Sequence, residues 1–114
     1  MTQAEALFQP ANLGKLQVKN RIVMAPMTRT FSPGNIPNDK VVDYYRRRAE
    51  GGVGLIITEG TCVDHIAASG YPNVPSFYGE EALAGWKKVV MRCMRRVAKS
   101  PHSFGTWARS VVLA

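Results

Sequence analysis

The stretch Leu55-Ile56-Ile57-Thr58 limits the possible folds of this chain more than any other. A strand that alternates polar and apolar residues can leave one face in water, whereas a run apolar on both faces needs cover on both, as parallel strands flanked by helices have. A second run, Arg21-Ile22-Val23-Met24-Ala25, is rich in β-branched residues and stops at Pro26, which cannot donate to a sheet ladder. It reads as another buried strand. Between the two, Thr28 to Pro37 carries the Thr, Ser, Gly, Asn and Pro of an irregular surface loop. A helix should follow. Asn38 or Asp39 can cap its start, Val41, Val42 and Tyr45 share an apolar stripe, and Gly51-Gly52 supply a stop after Arg46-Arg47-Arg48-Ala49-Glu50.

The rest of the chain extends this order. Residues 7 to 18 place apolar side chains on either side of Asn12-Leu13-Gly14-Lys15, where Gly14 is free to take positive φ, and so predict a hairpin. After the second strand a long loop rich in Gly, Ser, Pro and Asn runs from Glu59 to Tyr78, and Glu80 to Val90 reads as a second helix with Leu83, Trp86, Val89 and Val90 inward. These are two successive βα units whose long loops leave the carboxyl ends of the strands, the end at which parallel α/β folds bind ligands.

Bulk properties exclude little. An apolar share of 46% and a charged share of 20% are ordinary for a globular chain, and no apolar run approaches the roughly 18 residues of a membrane span. The first eight residues lack the basic and apolar regions of a secretory signal, so a cytoplasmic location is expected. Cys62 and Cys93 have neither metal nor redox-pair spacing, and both read as reduced thiols without a role. The net charge of +7 is unevenly spread. Residues 1 to 90 hold ten Lys/Arg against eight Asp/Glu, whereas residues 91 to 114 hold five basic residues and no acid. His65 reads as a solvated loop residue, and Arg46-Arg47-Arg48 as a solvated helix end suited to the negative carboxyl terminus.

Several motifs occur together and in order: Asn20-Arg21-Ile22-Val23-Met24-Ala25-Pro26-Met27-Thr28-Arg29, Gly34-Asn35-Ile36-Pro37-Asn38, Tyr44-Tyr45, Gly51-Gly52-Val53-Gly54-Leu55-Ile56-Ile57-Thr58-Glu59-Gly60, and Gly70-Tyr71. Across residues 7 to 90 the chain resembles the amino-terminal part of the Old Yellow Enzyme family, a far stronger signal than one short pattern. The resemblance implies an α/β fold, the amino-terminal portion of a (β/α)8 TIM barrel. It also implies FMN as cofactor, NADH or NADPH as reductant, and reduction of the C=C bond of small α,β-unsaturated carbonyl compounds. Ala25, Pro26, Met27 and Thr28 match the end of the family's first barrel strand, where backbone runs beside the flavin. The Thr28 hydroxyl would bond a ring carbonyl and tune the cofactor's potential. Gly60 matches the position where a missing side chain lets backbone approach the ring. Tyr71 matches a residue bordering the substrate entrance, although a loop tyrosine also packs readily without such a role. Arg29 would steady either the loop or a phosphate. No metal site, nucleic-acid partner or membrane partner is implied.

The family's remaining catalytic and phosphate-binding residues have no counterpart here, and a barrel of this type needs roughly 250 residues to close. The chain is therefore expected to be an inactive, incomplete barrel. Its residues 1–90 would form the FMN-side portion, and 91–114 a basic tail that is out of frame or disordered. A one-nucleotide frameshift after Val90 would account for the tail, because codons compatible with Met91 to Trp107 spell family-like sequence in the shifted frame. The alternative is a small non-enzymatic binding module whose tail contacts nucleic acid or lipid through Arg92, Arg95, Arg96, Lys99 and Arg109.

Overall fold

The computed structural model describes residues 2–95 and 111–112. It begins with a short helix, α1 (Gln3–Leu7), to which the sequence reading assigned no element. Its signal is Thr2-Gln3-Ala4-Glu5: the Glu5 N–H donates to Thr2 Oγ1, and the Thr2 N–H donates to Glu5 Oε2 at 2.6 Å, a reciprocal capping box. The predicted hairpin follows. Strands β1 (Ala11–Leu13) and β2 (Leu16–Val18) pair antiparallel with Leu13 opposite Leu16, and Gly14 takes a φ of +62° in the turn.

The main sheet has the order β3-β4-β5 and is parallel throughout. β3 (Val23–Met24) pairs with β4 (Leu55–Ile57) in the register Val23↔Leu55 and Met24↔Ile56, and β5 (Val111–Val112) lies on the other side of β4. The central place of β4 explains its unbroken apolar run: Leu55 and Ile56 are buried. β3 departs from expectation. Met24 packs on the core, but Val23 is 47% exposed: β3 has a single strand neighbour, β4, and lies at the edge of the described sheet.

Asn20 fixes where these two strands start. Its side chain donates to the Gly52 carbonyl at 2.6 Å and accepts the Ile22 N–H at 3.1 Å, while the Gly54 N–H donates to the Ile22 carbonyl. A Cβ on Gly54 would lie 2.6 Å from the Asn20 carbonyl oxygen, so the close approach requires glycine there.

Helix α2 (Asp39–Glu50) is capped by Asn38, whose side chain accepts the Val41 N–H, and ends at Gly51. Val41, Val42, Tyr45 and Ala49 face inward and pack with Ile56 and the second long helix, α3 (Glu80–Arg95). Two features of α3 correct the sequence reading. Leu83 is exposed, and Ala82 and Gly85 occupy the inner face instead: Gly85 abuts Pro37 so closely that a Cβ would lie 2.5 Å from the Pro37 carbonyl oxygen. The helix also continues past Val90 to Arg95, because Cys93 extends the Trp86 and Val89 stripe by another turn and is fully buried. The expected out-of-frame or disordered tail falls largely on residues 96–110 and 113–114, outside the described residues. Among the described residues no helix is long and apolar enough to cross a membrane.

Candidate functional site at the carboxyl ends of β3 and β4

Parallel strands deliver their following loops to the same end of the sheet, and here the two loops interlock. The Ser32 N–H donates to the Asn73 carbonyl at 2.9 Å, Asn35 Nδ2 donates to the Val74 carbonyl at 2.7 Å, and the Ser76 N–H returns to the Asn35 carbonyl at 2.8 Å. Thr30, Asn35 and Asn73 take positive φ to make these turns, a conformation asparagine tolerates better than most residues. The second loop doubles back on itself through the Cys62–Ser76 bridge, and Trp86 Nε1 anchors it by donating to the Ser76 carbonyl at 3.0 Å.

At the mouth of these loops Thr28 and Gly60, 32 residues apart in sequence, stand side by side: a Cβ on Gly60 would lie 3.2 Å from Thr28 Oγ1. Thr28 is exposed, and its hydroxyl has no hydrogen-bond partner among the described residues. Ala25, Pro26 and Met27 are also exposed and form the open margin that leads to it. A free hydroxyl donor beside backbone without a side chain suits the edge of a planar ring that carries carbonyl acceptors. Tyr71 stands apart, on the outer arc of the second loop and 69% exposed, with no hydrogen bond or ring contact to the others among the described residues.

Directly beneath Thr28 and Gly60 in sequence lies a polar cluster that the sequence reading missed. Arg29 Nη2 donates to Glu59 Oε1 at 2.6 Å, and the Glu59 side chain is wholly buried. The Tyr45 hydroxyl donates to the same oxygen at 3.1 Å and accepts the Glu59 backbone N–H at 2.9 Å. Burial pushes the Tyr45 phenol well above its ordinary range, and the adjacent Glu59 carboxylate adds to the rise while the Glu59 N–H opposes it. The Arg29 guanidinium lies 3.6 Å from the Tyr44 ring centroid and 5.7 Å from that of Tyr45. Arg29 thus steadies the loop, the first of the two roles expected for it. The available signal was Glu59 itself, an acid directly after an apolar strand and at the entry to a long loop.

The sequence profile of the NADH:flavin oxidoreductase / NADH oxidase family matches residues 6–99. The chain belongs to this family. Among its curated relatives, 12-oxophytodienoate reductase 7 of Oryza sativa subsp. japonica is 42% identical over 84 residues, covering 74% of this chain and 21% of the relative. Enoate reductase 1 of Kluyveromyces lactis is 41% identical over 86 residues, covering 73% of this chain and 21% of that protein. Among solved structures, morphinone reductase in complex with tetrahydroNAD superposes with a TM-score of 0.72 at 37% identity, covering 80% of this chain and 24% of that one. The old yellow enzyme from Trypanosoma cruzi gives 0.73 at 28% identity, over 84% and 26% of the two chains. The resemblance to Old Yellow Enzymes is therefore confirmed for this family member, which spans about a quarter of the length of the relatives it matches.

Proposed function

We propose that this chain supplies one side of an FMN site in an NAD(P)H-dependent oxidoreductase that reduces activated C=C bonds of small α,β-unsaturated carbonyl compounds. The observation that carries the proposal is the unbonded Thr28 hydroxyl set against side-chain-free Gly60, at the ligand-binding end of two adjacent parallel strands. The names of the relatives, reductases of 12-oxophytodienoate and enoate, support the substrate class, and tetrahydroNAD in morphinone reductase supports a nicotinamide reductant. In this reading Ala25, Pro26 and Met27 lie beside the ring, Thr28 donates to a ring carbonyl, Gly60 admits the ring to close approach, and Tyr71 borders the substrate entrance. Bound FMN would supply hydride transfer between the nicotinamide and the substrate.

The two βα units would be the first of a (β/α)8 barrel working in the cytoplasm. Residues 1–90 would carry the flavin contacts, and the basic stretch 91–114, which begins inside α3, would have no part in them. Residues for the flavin phosphate are not among those placed at the site, so the chain alone should bind FMN weakly and not turn over. The test is titration of ¹⁵N-labelled protein with FMN, followed by amide NMR. Concentration-dependent shifts centred on Thr28 and Gly60 are expected, and shifts confined to the basic residues of α3 would refute the assignment.

A further inference from the structure

The register of β3 and β4 ends at Met24↔Ile56, yet Thr28 and Gly60 meet several residues further on. Among the described residues no backbone hydrogen bond joins residues 25–30 to 58–61. What ties the two segments together is the Arg29–Glu59 ion pair, one residue from each flavin-facing position.

We infer that Arg29 and Glu59 are positioning residues: their buried ion pair, locked by Tyr45, sets the Thr28 hydroxyl against Gly60 and so fixes the flavin-facing edge. The inference rests on the FMN reading given above and adds what holds that edge in place.

The geometry fits a locating device. An exposed Arg–carboxylate pair would swing, but this guanidinium is stacked between α2 and the loop at 3.6 Å from Tyr44, and its partner has no exposed side-chain surface. Tyr45 holds Glu59 from a second direction, through both carboxylate and backbone, so the residue before Gly60 cannot turn without breaking two bonds to α2. The cluster is also poorly suited to stability alone. Glu59 Oε2 and Arg29 Nε are both buried without partners, as are Thr58 Oγ1 and Ser32 Oγ nearby in sequence. Buried charged pairs with incompletely bonded atoms are commonly matched in stability by apolar replacements, and their best-attested use is to specify one arrangement over others.

The experiment compares wild type, Glu59→Gln and Tyr45→Phe in the full 114-residue chain by NMR. The apo protein reports proximity through the cross-relaxation peak between the Thr28 methyl and the Gly60 α-protons. FMN titration then reports affinity, with the Trp86 and Val89 resonances as a check on the core. Glu59→Gln is expected to lose the Thr28–Gly60 peak with the core resonances unmoved, and to weaken FMN about tenfold, as loss of one well-placed hydrogen bond would. Tyr45→Phe should weaken the peak while keeping the ion pair. If Glu59→Gln does not fold, Arg29→Lys, which keeps the charge and loses the planar stack on Tyr44, carries the same comparison. Retention of the full peak in a folded Glu59→Gln or Arg29→Lys chain would overturn the inference. Loss of the peak without any wild-type response to FMN at Thr28 and Gly60 would leave the positioning intact and remove the FMN reading instead.

Discussion

The Tyr45 hydroxyl closes a ring with Glu59, accepting that residue's N–H at 2.9 Å and donating to its carboxylate at 3.1 Å. One oxygen thereby joins the middle of α2 to the start of the loop that follows β4. Tyr45→Phe keeps the ring in the core and strips both bonds, leaving a buried amide N–H without its acceptor. Urea unfolding followed by Trp fluorescence should show a loss of about 1–3 kcal/mol. A variant as stable as wild type would mean that the Glu59 N–H had found another acceptor.

Gly85 is a packing requirement rather than a conformational one. Alanine suits a helix interior better than glycine, yet its Cβ would be forced to 2.5 Å from the Pro37 carbonyl oxygen. Gly85→Ala is expected to destabilise by about 1–3 kcal/mol, by pushing α3 from the segment that precedes α2. Calorimetry would reveal a gain in melting temperature instead if helix propensity prevailed.

Cys93 should be silent toward thiol reagents until the chain unfolds. It is fully buried, and burial pushes its thiol up from 9.0 to about 11. A raised folded-state value means that the native state holds this proton more tightly than the unfolded chain. The associated stability is therefore complete below pH 9 and is lost as pH rises toward 11. Labelling at neutral pH should keep pace with global unfolding, and denaturant midpoints should fall on the alkaline side. Rapid stoichiometric modification of the native protein at Cys93 would contradict both.

Gly60→Ala separates fold from function. The Gly60 backbone lies outside the left-handed region, so alanine brings no conformational strain and should alter stability by less than about 1 kcal/mol. Its Cβ nevertheless lies 3.2 Å from Thr28 Oγ1, so the hydroxyl must give way. An unchanged melting curve together with loss of the FMN-induced shifts at Thr28 is expected. Equal FMN responses in the two proteins would show that the ring does not approach this edge.

Much of the framework could be read from periodicity and punctuation. The Asn38 cap, the Val41/Val42/Tyr45 stripe, the Gly51 stop, the Gly14 turn and the buried β4 all follow from local chemistry, and each is present. The failures share one cause, that local pattern does not reveal the neighbours. Val23 has the composition of a buried strand residue and meets solvent because of what lies beside it. Leu83 loses the inner face to Gly85, whose advantage is visible only once Pro37 is opposite, and a lone Cys93 gave no hint that it would extend the apolar stripe. At the candidate site, the family motifs singled out Thr28 and Gly60 for the proposed flavin contact. Their pairing at the mouth of the loops, and the ion pair behind them, depend on contacts between residues some 30 positions apart.

The interlocking of the two loops decides where this protein can accept new sequence. Ser32 and Asn35 make three bonds to Asn73, Val74 and Ser76, so an added residue between Ser32 and Asn35, or between Asn73 and Ser76, would put these bonds out of register. The arc from Val63 to Pro72 is different, since it is largely exposed and its backbone bonds, His65 to Val63 and Ala68 to His65, are local. Grafted peptides, tags and natural length variation should be accommodated in that arc and rejected on either side of it.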